Sequence, residues 1–188
     1  MSQTPENADI DKAFEALKTY KIGDDPAPVQ GPIDTAVMAV HGNVANRAAL
    51  ERRLAATLTP AYSSVARSFV CRQLALIGTP ASVRVLAPLV LDEELSVHAR
   101  NALERIPGAE SEKALRDALG QAKGRTKIGV INSVAARRDA ASTPALIKIL
   151  GEDPESAAAA AKALGEIGTS EAAKALAAAR GKGPAPVQ

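Results

Sequence analysis

The residues able to do chemistry in this chain are few and scattered. Its 188 residues hold two histidines, His41 and His98, and one cysteine, Cys71. His41 precedes Gly42 and His98 precedes Ala99, and two isolated imidazoles make a thin metal site. A single cysteine can form neither an intrachain disulfide nor a cysteine-based zinc cluster, and within FVCRQL it reads as a packed small hydrophobe. Ser63 and Ser64 have no recognisable His and Asp set around them. KGRTKIG, from Lys123, lacks the spacing of a phosphate loop. The expectation is therefore no catalysis of its own, no cofactor and no metal.

Charge offers more. Arg84, Lys113 and Lys174 each stand two residues before a leucine (Leu86, Leu115, Leu176), in a column completed by Ala48 and Pro144. Arg52 and Lys148 share a second column. Lys123, Arg125 and Lys127 cluster before one helix, and Arg137 and Arg138 follow at its end. Such cations suit an acidic peptide, protein or phosphate backbone. Glu51, Glu112 and Asp117 interrupt the positive face, and aromatic residues make up only 2% of the chain, which weighs against single-stranded nucleic acid. The net charge of +2 is too mild to indicate nucleic acid by itself.

The elements that carry these residues follow from a repeat. LALIGTPASVRVL starts at Leu74, LERIPGAESEKAL at Leu103, VAARRDAASTPAL at Val134 and LGEIGTSEAAKAL at Leu164, with spacings of 29, 31 and 30 residues. A diverged copy, MAVHGNVANRAAL, starts at Met38. A period of this size marks a solenoid, in which each unit buries its apolar face only against the next. Leu74, Leu103, Val134 and Leu164 end a first helix, with Ile77, Ile106, Arg137 and Ile167 three residues on; Met38 and His41 hold these places in the first copy. Gly42, Gly78, Pro107, Arg138 and Gly168 mark the exit, where glycine tolerates a left-handed conformation. Asn43, Thr79, Asp139 and Thr169 then suit the N-cap of a second helix. Its core stripe is Leu50/Leu54, Leu86/Val90, Leu115/Leu119 and Leu146/Leu150. Arg137 replaces isoleucine: either its stem packs while the guanidinium reaches terminal helix carbonyls or Asp139, or it is a binding residue at a break in the stack.

These patterns predict hairpins at about 32–58, 62–91, 94–120, 124–151 and 154–180. Residues 1–7 read as a disordered tail. Asp9 or Asp11 would cap a helix with the stripe Ile10, Phe14, Leu17 and Tyr20, covering the first hairpin. Gly23 to Pro32 reads as a non-helical connector. The expected domains are 1–31 (tail, capping helix, connector), 32–180 (repeats) and 181–188 (a disordered tail). PAPVQ occurs at 26–30 and again at 184–188, and the last unit is thinly covered, which raises end-on self-association through the C-terminal repeat. No stretch has the apolar length of a membrane span. The N-terminus lacks the regions of a secretory signal, which reads as cytoplasmic, or as extracytoplasmic had a leader been removed.

ALGEIGTSEAAKAL, from Ala163 to Leu176, resembles a HEAT repeat in the short form of bacterial HEAT-like and phycobilin-lyase-type proteins, and LALIGTPASVRVL is similar. The resemblance spans roughly residues 32–180. It implies an all-α, right-handed α-solenoid, armadillo-like, of about five helix hairpins plus an N-terminal helix. It also implies that the second helices line the concave surface. The His-Glu pairs of HEAT-like di-iron hydroxylases are missing here. The function expected with it is a protein-interaction scaffold or adaptor, and the columns of cations point to another protein with an acidic surface as its partner. The alternatives are a phosphate- or nucleic-acid-binding HEAT protein and, behind it, a lyase-like enzyme.

Overall fold

Alternating first and second helices are what a thirty-residue apolar period builds, and the computed structural model, which describes residues 5–180, contains them. Eleven α-helices and no strand occur among the described residues. An N-terminal helix, α1 (Pro5–Leu17), precedes five hairpins: α2 (Ala27–Ala39) with α3 (Val44–Ala55), α4 (Ser64–Ile77) with α5 (Pro80–Leu86), α6 (Ser96–Arg105) with α7 (Ala109–Leu119), α8 (Gly124–Ala136) with α9 (Thr143–Ile149), and α10 (Pro154–Ile167) with α11 (Ser170–Ala179). Each first helix packs on the next first helix. The second helices form the other layer, and the core lies between: Ile33, Leu54, Phe69, Leu74, Leu86, Leu103, Ile106, Leu115, Ile131 and Leu146 are fully buried. Burying each such side chain stabilises the fold by roughly 1.5–3 kcal/mol. No helix among the described residues is long and apolar enough to cross a membrane.

The caps are where the repeat placed them. Asn43 accepts from the Asn46 amide at 3.0 Å, Thr79 from Ala81 at 3.3 Å and Thr169 from Ala172 at 3.1 Å. Asp139 accepts from Ala141 at 3.2 Å, capping a short 3-10 turn (Ala140–Ser142) that leads into α9. Gly42 and Gly168 take the left-handed conformation, and so does Arg138, at φ 51°. Gly78 does not; its φ is −62°. Glycine is needed there for room, because a Cβ would meet the Leu74 carbonyl oxygen at 2.4 Å and Ile106 Cδ1 at 2.7 Å.

Three expectations are corrected. First, α1 begins at Pro5, so Asp9 and Asp11 lie inside it rather than at its cap; Asp11 pairs with Arg53 of α3 at 2.6 Å, and that guanidinium lies 3.9 Å over the Phe14 ring. Residues 1–4 and 181–188, and with them most of the expected tails, lie outside the described residues. Second, Gly23 to Pro32 is not wholly a connector, since α2 starts at Ala27. Pro28 sits in the first turn, where its missing N–H costs nothing. Pro32 removes only the bond to the Pro28 carbonyl, and burial of Val29, Ile33 and Val37 outweighs that loss. Third, Met38 and His41 are exposed, and Val37 and Val40, one residue earlier, fill the core positions. From the buried helix residue to the N-cap the first copy is one residue longer than the second (Val37 to Asn43 against Leu74 to Thr79), which shifts its register.

Candidate functional site

The second helices hold the expected cations at their surface. Arg84 on α5, Lys113 on α7 and Lys174 on α11 are exposed, as are Arg52 on α3 and Lys148 on α9. Lys113 reaches Asp117, one turn further along α7, at 2.6 Å, and Pro144 interrupts the column on α9. At the start of α8, Lys123 and Arg125 are exposed, whereas Lys127 pairs with Glu152 and is mostly covered. Arg138 is exposed.

Arg137 is not available to a partner. Its side chain is 10% exposed, and Nη1 donates to the carbonyls of Leu103 (2.9 Å), Glu104 (3.0 Å) and Ile106 (2.9 Å). Nη2 donates to the Gly108 carbonyl at 3.2 Å and lies 3.3 Å from Glu112 Oε1. The carbonyls are those left over at the end of α6, where the helix dipole favours a cation. Arg137 thus fastens the fourth repeat to the third. Glu51 is also withdrawn from the surface. It is 4% exposed and accepts from the Thr79 amide (2.7 Å), the Thr79 hydroxyl (2.9 Å) and the Ser82 hydroxyl (2.6 Å). It therefore does not interrupt the positive face. Glu112 faces Arg137, and Asp117 neutralises Lys113 locally.

The groups with catalytic potential stay apart. Among the described residues no three His, Cys, Asp or Glu side chains gather as a metal site. Cys71 is buried in α4, and burial pushes its thiol up to about 12, which leaves little thiolate near neutral pH. His41 is exposed. His98 on α6 is half-buried, and burial, then the Arg72 cation, hold its pKa below the usual 6.5.

Two open grooves lie on the N-terminal half. One, of about 810 Å³, runs between α1, α2 and α3 over Ile10, Pro32, Ala36 and Leu50, with Arg53 on its lining already held by Asp11. The other, of about 560 Å³, crosses the first helices α2, α4 and α6 and brings Arg72, Arg105, Asn101 and His98 around Leu76 and Val97. Nothing in the repeat columns singled out this second groove. The available signal was Leu76, two residues past Leu74, where the later copies carry Arg105, Ala136 and Glu166.

Residues 112–188 match the family model described as HEAT repeats. No curated protein matches the chain. The matched stretch covers most of α7 and the last two hairpins, and the same hairpin recurs upstream from Ala27 in the same stacked order. Residues 112–188 are thus HEAT repeats, and the chain as a whole is an all-helical, HEAT-like solenoid of five hairpins behind an N-terminal helix.

Proposed function

We propose that the protein is an interaction scaffold or adaptor whose second helices receive an acidic surface of another protein. HEAT repeats generally mediate protein–protein interaction and are typically not catalytic. The observation that carries the reading is the exposure of Arg84, Lys113 and Lys174 at one repeat position on α5, α7 and α11. Arg52, Lys148, Lys123, Arg125 and Arg138 add exposed cations. Arg137 and Lys127 serve the frame instead. Long-range attraction would steer an acidic partner, and Lys113, neutralised by Asp117, would contribute least.

Joint reversal of Arg84→Glu, Lys113→Glu and Lys174→Glu tests the reading by affinity capture from the native cell. The expected result is loss of an acidic partner that the wild-type chain retains. Undiminished capture contradicts it, and steeply salt-dependent binding to duplex nucleic acid would move the assignment to a phosphate backbone. End-on association through the last repeat is the companion proposal, motivated by α11, where Ala172 is buried but Leu176 is only half-buried. Light scattering across a concentration range tests it, and a strict monomer at high concentration removes it.

A further inference from the structure

The outward side of a first helix in a solenoid needs no apolar residue, because nothing in the stack covers it. On α8 and α10 the outward residues are Asn132, Ala136, Lys162 and Glu166, all exposed. On α4 and α6 they are different. Leu76 is 61% exposed and Val97 is 53% exposed, and both line the groove over α2, α4 and α6.

The polar groups of this groove are unmatched. Arg72 and Arg105 form no ion pair among the described residues, and Asp34 is the one carboxylate on the lining. Two guanidiniums against one carboxylate leave the groove positive, and His98, with its pKa held down by burial and Arg72, adds no charge at neutral pH. Arg72 lies toward the Phe69 ring, 5.7 Å from its centroid, so the apolar floor supports the cation from below. Gln73, on the same lining, is 5% exposed, and its Oε1 is buried without a hydrogen-bond partner. A buried amide left unmatched costs roughly 1–3 kcal/mol. The groove therefore offers an apolar pair of side chains and a positive field within one surface.

We propose that this groove docks a short segment of a partner protein in which an Asp or Glu adjoins a Leu, Ile or Val, the carboxylate meeting Arg72 and Arg105 and the apolar side chain covering Leu76 and Val97. Charge complementarity selects the acidic residue, and the exposed leucine and valine select its apolar neighbour. The peptide backbone supplies the donors and acceptors that the exposed Asn101 amide can use. An open groove across three helices suits a chain segment, whereas small-molecule sites enclose most of their ligand. Asp34 and the apolar lining disfavour a phosphate backbone. The inference rests on the scaffold reading and adds a second docking place, in the layer of first helices, to the cationic second helices. An adaptor with both could hold two partners at once.

The test uses a fluorescein-labelled peptide alternating Glu and Leu, with Lys/Leu and Glu/Ser counterparts, added to the full chain. Anisotropy gives the affinity, and backbone amide chemical shifts give the place. The expected result is binding of the Glu/Leu peptide alone, with shifts centred on residues 72–76 and 97–105. Arg72→Glu with Arg105→Glu should weaken it about tenfold or more, as should Leu76→Ser with Val97→Ser. These positions are exposed, so the fold survives the changes. Equal binding of the Lys/Leu peptide, shifts confined to the second helices, or no binding at millimolar peptide overturns the proposal. Reversal of Arg84, Lys113 and Lys174 should leave this peptide bound, so failure of the groove and failure of the second-helix surface are told apart.

Discussion

The junctions between the first and second repeats and between the third and fourth are fastened by buried or half-buried charged side chains, whereas those between the second and third and the fourth and fifth are packed dry. At the first junction Arg47 donates to the Ile77 carbonyl at 2.7 Å and the Gly78 carbonyl at 3.1 Å, and Glu51 holds the start of α5 through Thr79 and Ser82. At the third, Arg137 closes the end of α6. Arg100 of α6 donates to the Gly129 carbonyl (2.9 Å) and Ser133 (3.0 Å), and Arg116 of α7 meets the capping residue Asp139 at 2.7 Å. Glu51 and Arg116 occupy the same repeat position, one residue after the core leucine, and each grips the next repeat's N-cap with the charge that its cap requires. The dry junctions hold Ala87 and Ile147 in that column. There Gly78 lets Ile106 approach at the second junction; at the fourth Thr143 and Thr169 lie 3.3 Å apart, and the Lys127–Glu152 pair joins α8 to the link before α10 rather than to a helix of the fifth repeat.

The difference separates two ways of fixing a solenoid. Charged latches fix register, because a terminal carbonyl or amide has few positions from which it can be reached. Dry junctions depend on shape, and their strength scales with what they bury. Large side chains such as Leu74, Leu103 and Ile106 fill the second junction, but α10 offers mainly Ala157, Ala160 and Ala163 to the fourth. Among the described repeats the last is therefore expected to be the weakest unit, because its seam with the fourth is thin.

Substitutions that target one kind of junction should separate the two. The largest effect is expected from Arg137→Leu, which leaves four carbonyls and Glu112 without their shared donor; a loss of about 3 kcal/mol in urea unfolding follows. A loss below about 1 kcal/mol would show that the latch is ornamental. At a dry junction Gly78→Ala should cost about 2 kcal/mol, because the new Cβ collides with a backbone oxygen that cannot swing away. A neutral result would mean that Leu74 and Ile106 do not close in on Gly78 as described. The smallest effect is a pH dependence. His98 has its pKa lowered below 6.5 in the folded chain, so the unfolded chain takes up a proton first. Stability from this group is present above about pH 6.5 and is lost as pH falls through it. Wild type should lose more stability than His98→Gln between pH 7 and 5, as read from thermal midpoints.

Much of this was legible in the sequence, because caps, glycines and the leucine stripe act within a few residues of one another. Asn43, Thr79 and Thr169 declare their roles locally, and all five hairpins lie close to where the repeat placed them. The failures have physical causes. Proline at 26, 28 and 32 signalled a break, but its cost in α2 is a single bond, and tertiary burial exceeds it. One extra residue between the core valine and the cap Asn43 moved Val37 and Val40 into the places that Met38 and His41 hold in the aligned motif. Arg137 could be read as a carbonyl cap, yet its acceptors sit in the preceding repeat, some thirty residues away. Glu51 likewise finds its partners a repeat further on, where no local pattern reaches. The groove of Arg72, Leu76, Val97 and Arg105 needs three helices to exist, so a column alignment that compares equivalent positions does not assemble it.

Native-state hydrogen exchange, resolved by helix, tests the contrast between junctions most directly. The α10 and α11 amides should open together at the lowest free energy, while α6 and α8 remain protected as one unit held by Arg100, Arg116 and Arg137. Equal protection from α6 through α11, lost in a single step, would contradict the division into latched and dry junctions.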